Sequence, residues 1–177
     1  MAKKISKKLE VELIPKTCWW SSVRTMVKPS EWNKIRFISY ENANNICEIC
    51  SDNGLNQGYK HPVECHEIWH YDDKNKIQKL IGLITLCPLC HLVKHIGRAN
   101  AMGKQPEVFK QLEKINKWNH KQVVEHVANS FELYKERSKY QWTLDLSILN
   151  QPPYELNVKT KTRKFKKTFK KKSRRKR

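Results

Sequence analysis

The sequence predicts an α+β fold: strand, loop, strand and helix clipped by paired cysteines, with further helices around them and a basic C-terminal tail expected to be disordered. Three observations carry the prediction. Two C-x2-C pairs, Cys47/Cys50 and Cys87/Cys90, bracket a histidine-rich segment. Between them, two stretches suited to strands are separated by a turn. Outside them, apolar residues recur at helical spacing.

Taken in order, Met1 to Lys16 reads as a basic arm with Pro15 near its end. Thr17 to Val27 is rich in large side chains, and Trp19-Trp20 is expected in the core. Ser30 suits a helix N-cap, with Glu31 in the first turn where a negative charge complements the dipole. Trp32, Ile35 and Ile38 then mark an amphipathic helix ending near Asn44-Asn45. The first cysteine pair follows, then a turn-rich loop holding Gly54 and Gly58. Val63 to Tyr71 reads as a strand, Asp72-Asp73-Lys74-Asn75 as a turn and Ile77 to Leu86 as the returning strand. The second cysteine pair opens a helix that Gly97 or Gly103 ends. Pro106 begins another, with Val108, Phe109, Leu112, Ile115 and Trp118 as its stripe. Val123, Val124, Val127, Phe131 and Tyr134 form a second stripe. Trp142, Leu144, Leu146 and Ile148 alternate as a short terminal strand, and Pro152-Pro153 marks the edge of the tail. The reading is therefore an arm over 1–16, a body over 17–149 with its core at about 47–97, and a tail over 150–177.

A chain of 177 residues with 38% hydrophobic content supports one modest core with arms. Met1 to Pro15 has no continuous apolar run of the secretory kind, and no apolar run is long enough to span a bilayer. A reducing, cytoplasmic setting is expected, where paired cysteines serve as metal ligands rather than disulfides. Cys18 and Cys65 are then buried thiols. The net charge is +19, and thirteen of the 36 Lys and Arg residues fall between Lys159 and Arg177, where no acidic residue occurs. Nucleic acid is the natural partner of such a chain, DNA first and RNA second. Arg163, Lys164, Lys166, Lys167, Lys170, Lys171, Lys172, Arg174 and Arg175 are expected to contact phosphate, with Lys94 joining them from the body.

Doubled C-x2-C knuckles supply four thiolates, the set a closed tetrahedral Zn2+ site requires. His91 and His95 stand four apart, so on a helix both imidazoles project from one face toward a second ion. Strand, loop, strand and helix in that order form a ββα-metal unit. His61, His70, His120 and His126 read as surface or packing residues.

At Cys47-x2-Cys50, Val63-Glu64-Cys65-His66-Glu67-Ile68-Trp69 and Leu86-Cys87-Pro88-Leu89-Cys90-His91-Leu92-Val93-Lys94-His95, the chain resembles the HNH endonucleases of bacteria and phages. The resemblance spans about Pro15 to Leu149. It implies metal-dependent hydrolysis of phosphodiester bonds, usually in DNA, with Mg2+ or another divalent ion. It makes His91 the helix ligand and His95 an optional one. On the first strand it implies a ligand followed by a general base, and His66 with Glu67 is the favoured pair. Aligned on Ile68, His66 is the ligand and Glu67 the base. Shifted by one, His66 is the base with Cys65 as ligand; a third arrangement keeps His66 as base with Glu64 or Glu67 on the ion. The family's middle asparagine is replaced by Gly82, for which Asn75 or Gln78 is the available substitute. One alternative is a subunit whose nuclease site works only within a larger nucleoprotein assembly; the main competing expectation is a non-catalytic zinc ribbon that binds DNA, RNA or a ribonucleoprotein surface. In that reading His66, His91 and His95 only complete the ribbon or cap a helix.

Overall fold

The computed structural model describes residues 8–158. The tail cations from Arg163 to Arg175 lie outside the described residues. The fold is α+β, built on a three-stranded sheet in the order β1-β2-β3. Strand β1 (Glu64–Asp72) and strand β2 (Ile77–Leu86) form an antiparallel hairpin, and β3 (Thr143–Asp145) adds in parallel to β2. Asp72 organises the hairpin turn by accepting from the Lys74 and Asn75 backbones and from the Asn75 side chain. Gly82 opposes Ile68 and Leu80 opposes Trp69, so Ile81 is an extra residue in β2 that shifts the register.

Each face of the sheet supports its own core. On one side Ile84 and Leu86 pack with Val93, Ile96, Val108, Leu112 and Val123. These come from α3 (Pro88–Lys94), α4 (Ile96–Ala101), α5 (Gln105–Asn116) and α6 (His120–Arg137). On the other, Leu80 and Leu144 meet Val23 of α1 (Val23–Met26) and Ile35 of α2 (Pro29–Asn42). Each such aliphatic side chain contributes roughly 1.5–3 kcal/mol when fully buried. Helix α6 starts on a reciprocal cap: Asn119 accepts from the Gln122 backbone, and the Gln122 side chain accepts from the Asn119 backbone.

Several expectations are corrected. Helix α2 begins at Pro29, not after Ser30; Glu31 turns back to accept from the Lys28 backbone at 2.7 Å. Trp19 and Trp20 are 56% and 64% exposed rather than core. The helix after Cys87 breaks at His95 (φ −105, ψ 50), giving α3 and α4 in place of one continuous run. The terminal strand stops at Asp145, and a 3-10 turn (Ser147–Asn150) carries Leu149 into the second core. Neither end of the body falls where composition suggests. Leu9 and Val11 are buried in the first core and Leu156 in the second, because their apolar side chains outweigh the basic character around them.

Candidate metal centres

The knuckles bring Cys47, Cys50, Cys87 and Cys90 together with all sulfurs within 4.8 Å of one another. Cys87 is the N-cap of α3, its Sγ accepting from the Cys90 backbone at 3.4 Å, and Pro88 provides a preset first turn. The first knuckle closes through Cys47 N–H to the Asp52 carbonyl and Ser51 N–H to the Cys47 carbonyl. Gly54 lies so close to the His61 carbonyl and the Pro88 ring that any side chain there would overlap both. The Cys50 and Cys87 sulfurs are 3.5 Å apart. Tetrahedral Zn2+ with bonds of about 2.3 Å separates its sulfurs by about 3.8 Å, so the cluster fits a zinc ion. Four thiols so crowded compete for ionisation: hydrogen bonds from the other three pull Cys47 below the usual thiol range, while Cys50 and Cys90 are pushed above it. A dication removes that conflict by stabilising all four as thiolates. Gln111 Nε2 donates to Cys90 Sγ at 3.2 Å, a buried support on one ligand.

A second cluster forms beside the first. The ligating nitrogens of His66, His91 and His95 lie within 4.8 Å of one another. His66 stands in β1 and is 5% exposed; His91 lies in α3 and His95 at its C-cap. His91 Nε2 and His95 Nε2 approach to 3.0 Å, close to the roughly 3.3 Å between neighbouring nitrogens on a tetrahedral zinc. Two carboxylates hold the rings from behind. Glu64 Oε2 lies 2.5 Å from His91 Nδ1, leaving Nε2 to face the cluster. Glu12 Oε2 lies 3.1 Å from His66 Nε2, which leaves Nδ1 as that ring's other donor atom. Carboxylate–imidazole pairs of this kind fix the tautomer and raise the basicity of a metal-binding histidine. Burial lowers His66 below its ordinary pKa; burial and the neighbouring positive charges lower His95 to about 3. Neutral imidazoles are the form that binds a metal.

Glu12 is the residue the sequence does not single out. It arrives on a strap whose backbone is clipped by Asn116 at Leu9, by His126 Nε2 at Val11 (2.9 Å) and by the Lys94 carbonyl at Glu12 itself. Its other oxygen takes the Lys94 ammonium. Burial works to raise the Glu12 carboxyl, but the His66 hydrogen bond and the Lys94 charge bring it down to about 2. Lys94 is therefore not a phosphate contact: it is buried, and its charge is satisfied inside the protein.

Glu67 is not brought to the histidines. Neighbouring residues of a strand point to opposite faces, so His66 faces the α3 side and Glu67 the α1 side. There Glu67 Oε1 accepts the Val23 N–H at 2.6 Å at the start of α1, and burial raises its carboxyl to about 7. Cys65 shares that face, and burial pushes its thiol up to about 12. Glu64 holds the acidic place beside His91 and also meets His61 at 3.1 Å. Asn75 is committed to the hairpin turn, and Gln78 is buried beside Leu144 on the far part of the sheet, so neither stands in for the asparagine absent at Gly82. Nothing crowds Gly82: a side chain would meet only Ile68, at 3.7 Å. Of the remaining histidines, His126 packs against the strap and Trp118, His120 pairs with Glu113, and His70 is exposed.

No helix among the described residues is long and apolar enough to cross a membrane. Comparison with protein-family models, with curated proteins and with solved structures finds no match to this chain.

Proposed function

We propose that the protein is a metal-dependent phosphodiester hydrolase of HNH type, acting on DNA, with a four-cysteine zinc holding the fold and the three-histidine cluster as its working centre. The observation that carries this reading is the convergence of His66, His91 and His95 from a strand and a helix, with a carboxylate behind two of the rings. Structural zinc sites of small domains are closed by four protein ligands; three imidazoles leave room for a substrate oxygen.

The donor set also bears on the ion. Three imidazoles suit borderline transition ions such as Zn2+ or Ni2+ better than Mg2+ or Mn2+, which prefer oxygen ligands. When bound, such an ion polarises the phosphoryl group, activates water at neutral pH and stabilises the departing 3′ oxygen. The protein's part is to hold the imidazoles neutral and aimed, through Glu64 on His91 and Glu12 on His66. Both carboxyls sit below their ordinary pKa, so they act as orienting groups and would be weak bases.

The second reading is a zinc-held nucleic-acid-binding protein without hydrolysis, favoured by Gly82 and by Glu67 facing the opposite side of the sheet. Supercoiled plasmid incubated with the purified chain and Zn2+, Mn2+ or Mg2+ separates the two. Nicking that His91→Ala abolishes, with zinc content and helicity preserved, is the expected result. Equal nicking by that variant, or none by the parent with any ion, refutes the hydrolase.

A further inference from the structure

We propose that the groove beside the histidine centre takes an unpaired polynucleotide strand, its bases lying on the aromatic face of α2 and its phosphates against Arg24 and Arg36. The inference rests on the hydrolase reading for its purpose, but its test is independent of cleavage.

The groove measures about 690 Å³ and runs between α2 and β1, the edge strand of the sheet. Its lining includes His91 and Glu64, so a strand lying in it passes the histidine centre. Trp32, Arg36, Phe37 and Tyr40 also line it, at spacings of four, five and eight residues that set them along one side of the helix. The fold uses only part of this side: α2 turns Ile35 and Ser39 inward, Trp32 packs along the edge of the second core, and Phe37 is left 49% exposed. The Arg36 guanidinium lies 4.6 Å over the Phe37 ring, and Tyr40 meets that ring edge-on at 6.0 Å. Arg36 donates through Nε to Asn33, a neutral partner, so its charge is not cancelled there. Arg137, by contrast, is locked in a two-point pair with Asp73.

The exposed Phe37 ring, flanked by the partly open rings of Trp32 and Tyr40 and by the Arg24 and Arg36 guanidinium groups, matches what an unpaired strand presents, flat bases for the rings and phosphates for the charges. A duplex offers the phosphates but keeps its base faces inside the stack, which would leave the open face of Phe37 uncovered. Two carboxylates also line the groove, Glu64 at its histidine end, hydrogen-bonded to His91 and His61, and Glu41 next to Tyr40, so the phosphates are placed at Arg24 and Arg36 and away from both.

The test uses the full chain and phosphorothioate oligonucleotides, which resist hydrolysis, carrying 5-iodouracil for photo-crosslinking and 2-aminopurine to report stacking. Crosslinks on Trp32, Phe37 or Tyr40 are expected. Phe37→Ala and Arg36→Ala should each weaken the unpaired strand about tenfold while changing a duplex of equal length by less than about twofold. Deoxyribo and ribo strands run in parallel identify the sugar, and tighter binding of either supports the groove. Crosslinks confined to Lys159–Arg177, or equal losses for single strand and duplex, overturn it. A protein that crosslinks through α2 but cleaves nothing removes the hydrolase reading and leaves the groove. Cleavage without a crosslink to α2 removes the groove and leaves the hydrolase.

Discussion

Replacing Glu12 by glutamine tests the strap directly. The substitution keeps the shape but leaves the Lys94 ammonium, whose side chain is 7% exposed, without its counter-charge. Breaking a fully buried ion pair costs about 3–5 kcal/mol; Glu12 is partly open to solvent, which brings the expectation to about 2–3 kcal/mol. The carboxyl pKa agrees: about 2 against an ordinary 4.5 corresponds to roughly 3 kcal/mol before solvent screening. Because the folded-state pKa is depressed, this stabilisation is fully present above about 4.5 and is lost as pH falls toward 2. The deficit of the variant should therefore be complete at neutral pH and close in acid. Urea unfolding of zinc-loaded protein, followed by tryptophan fluorescence, reads it. Adding Lys94→Met should recover most of the loss, since no unpaired charge is then buried. The same Glu12→Gln change should weaken Co2+ binding at the histidine centre about ten- to a hundredfold, seen in the visible spectrum of the bound ion. A stability change below about 0.5 kcal/mol, or an unchanged Co2+ affinity, would refute the role given to Glu12.

Three further outcomes follow from the geometry. Glu67→Gln should leave cleavage near the parent rate and stabilise the protein. Its raised carboxyl pKa means the parent loses stability as pH rises from about 4.5 to 7, so the advantage of the variant should grow over that window to about 2–3 kcal/mol; a gain independent of pH would contradict this. Cys90→Ser should release the structural zinc and abolish cooperative unfolding, because structural zinc commonly contributes about 10 kcal/mol or more, comparable to a whole domain's stability. Metal analysis and a calorimetric scan check it, and a cooperative, zinc-free variant would count against the knuckle. Deleting Lys159–Arg177 should flatten the salt dependence of DNA binding while plasmid nicking persists at low salt; an unchanged slope would remove the tail as a phosphate contact.

What can be read from the chain divides by sequence distance. The cysteine pairs are local patterns, and so is the four-residue spacing of His91 and His95; both clusters appear with those members. Glu67 falls on the wrong side for the pairing expected of it, although its strand is predictable, since the alternation of that strand already sets residues 66 and 67 on opposite sides. Glu12 is different. Leu9, Val11 and Leu13 alternate visibly with acidic residues, but the partners that fix the strap are Lys94, Asn116 and His126, and no local pattern joins positions so far apart. Trp19 and Trp20 show the converse error: large apolar side chains mark a core only where other elements cover them, and here nothing among the described residues does so fully. Lys94 reads as solvent-facing from its own helix because its environment is created by the strap.

The strap has a consequence for how the centre comes into being. Leu9 to Glu12 leave the ribosome before everything they dock on, and the side chains that clip them belong to the fifth and sixth helices, made much later. The carboxylate behind His66 is thus set in place only once the helical half has been synthesised and folded. A nascent chain, or an excised piece carrying the two knuckles alone, would hold one ion and lack the finished setting for the second. The setting of the histidine cluster in this way depends on contacts that span almost the whole described body.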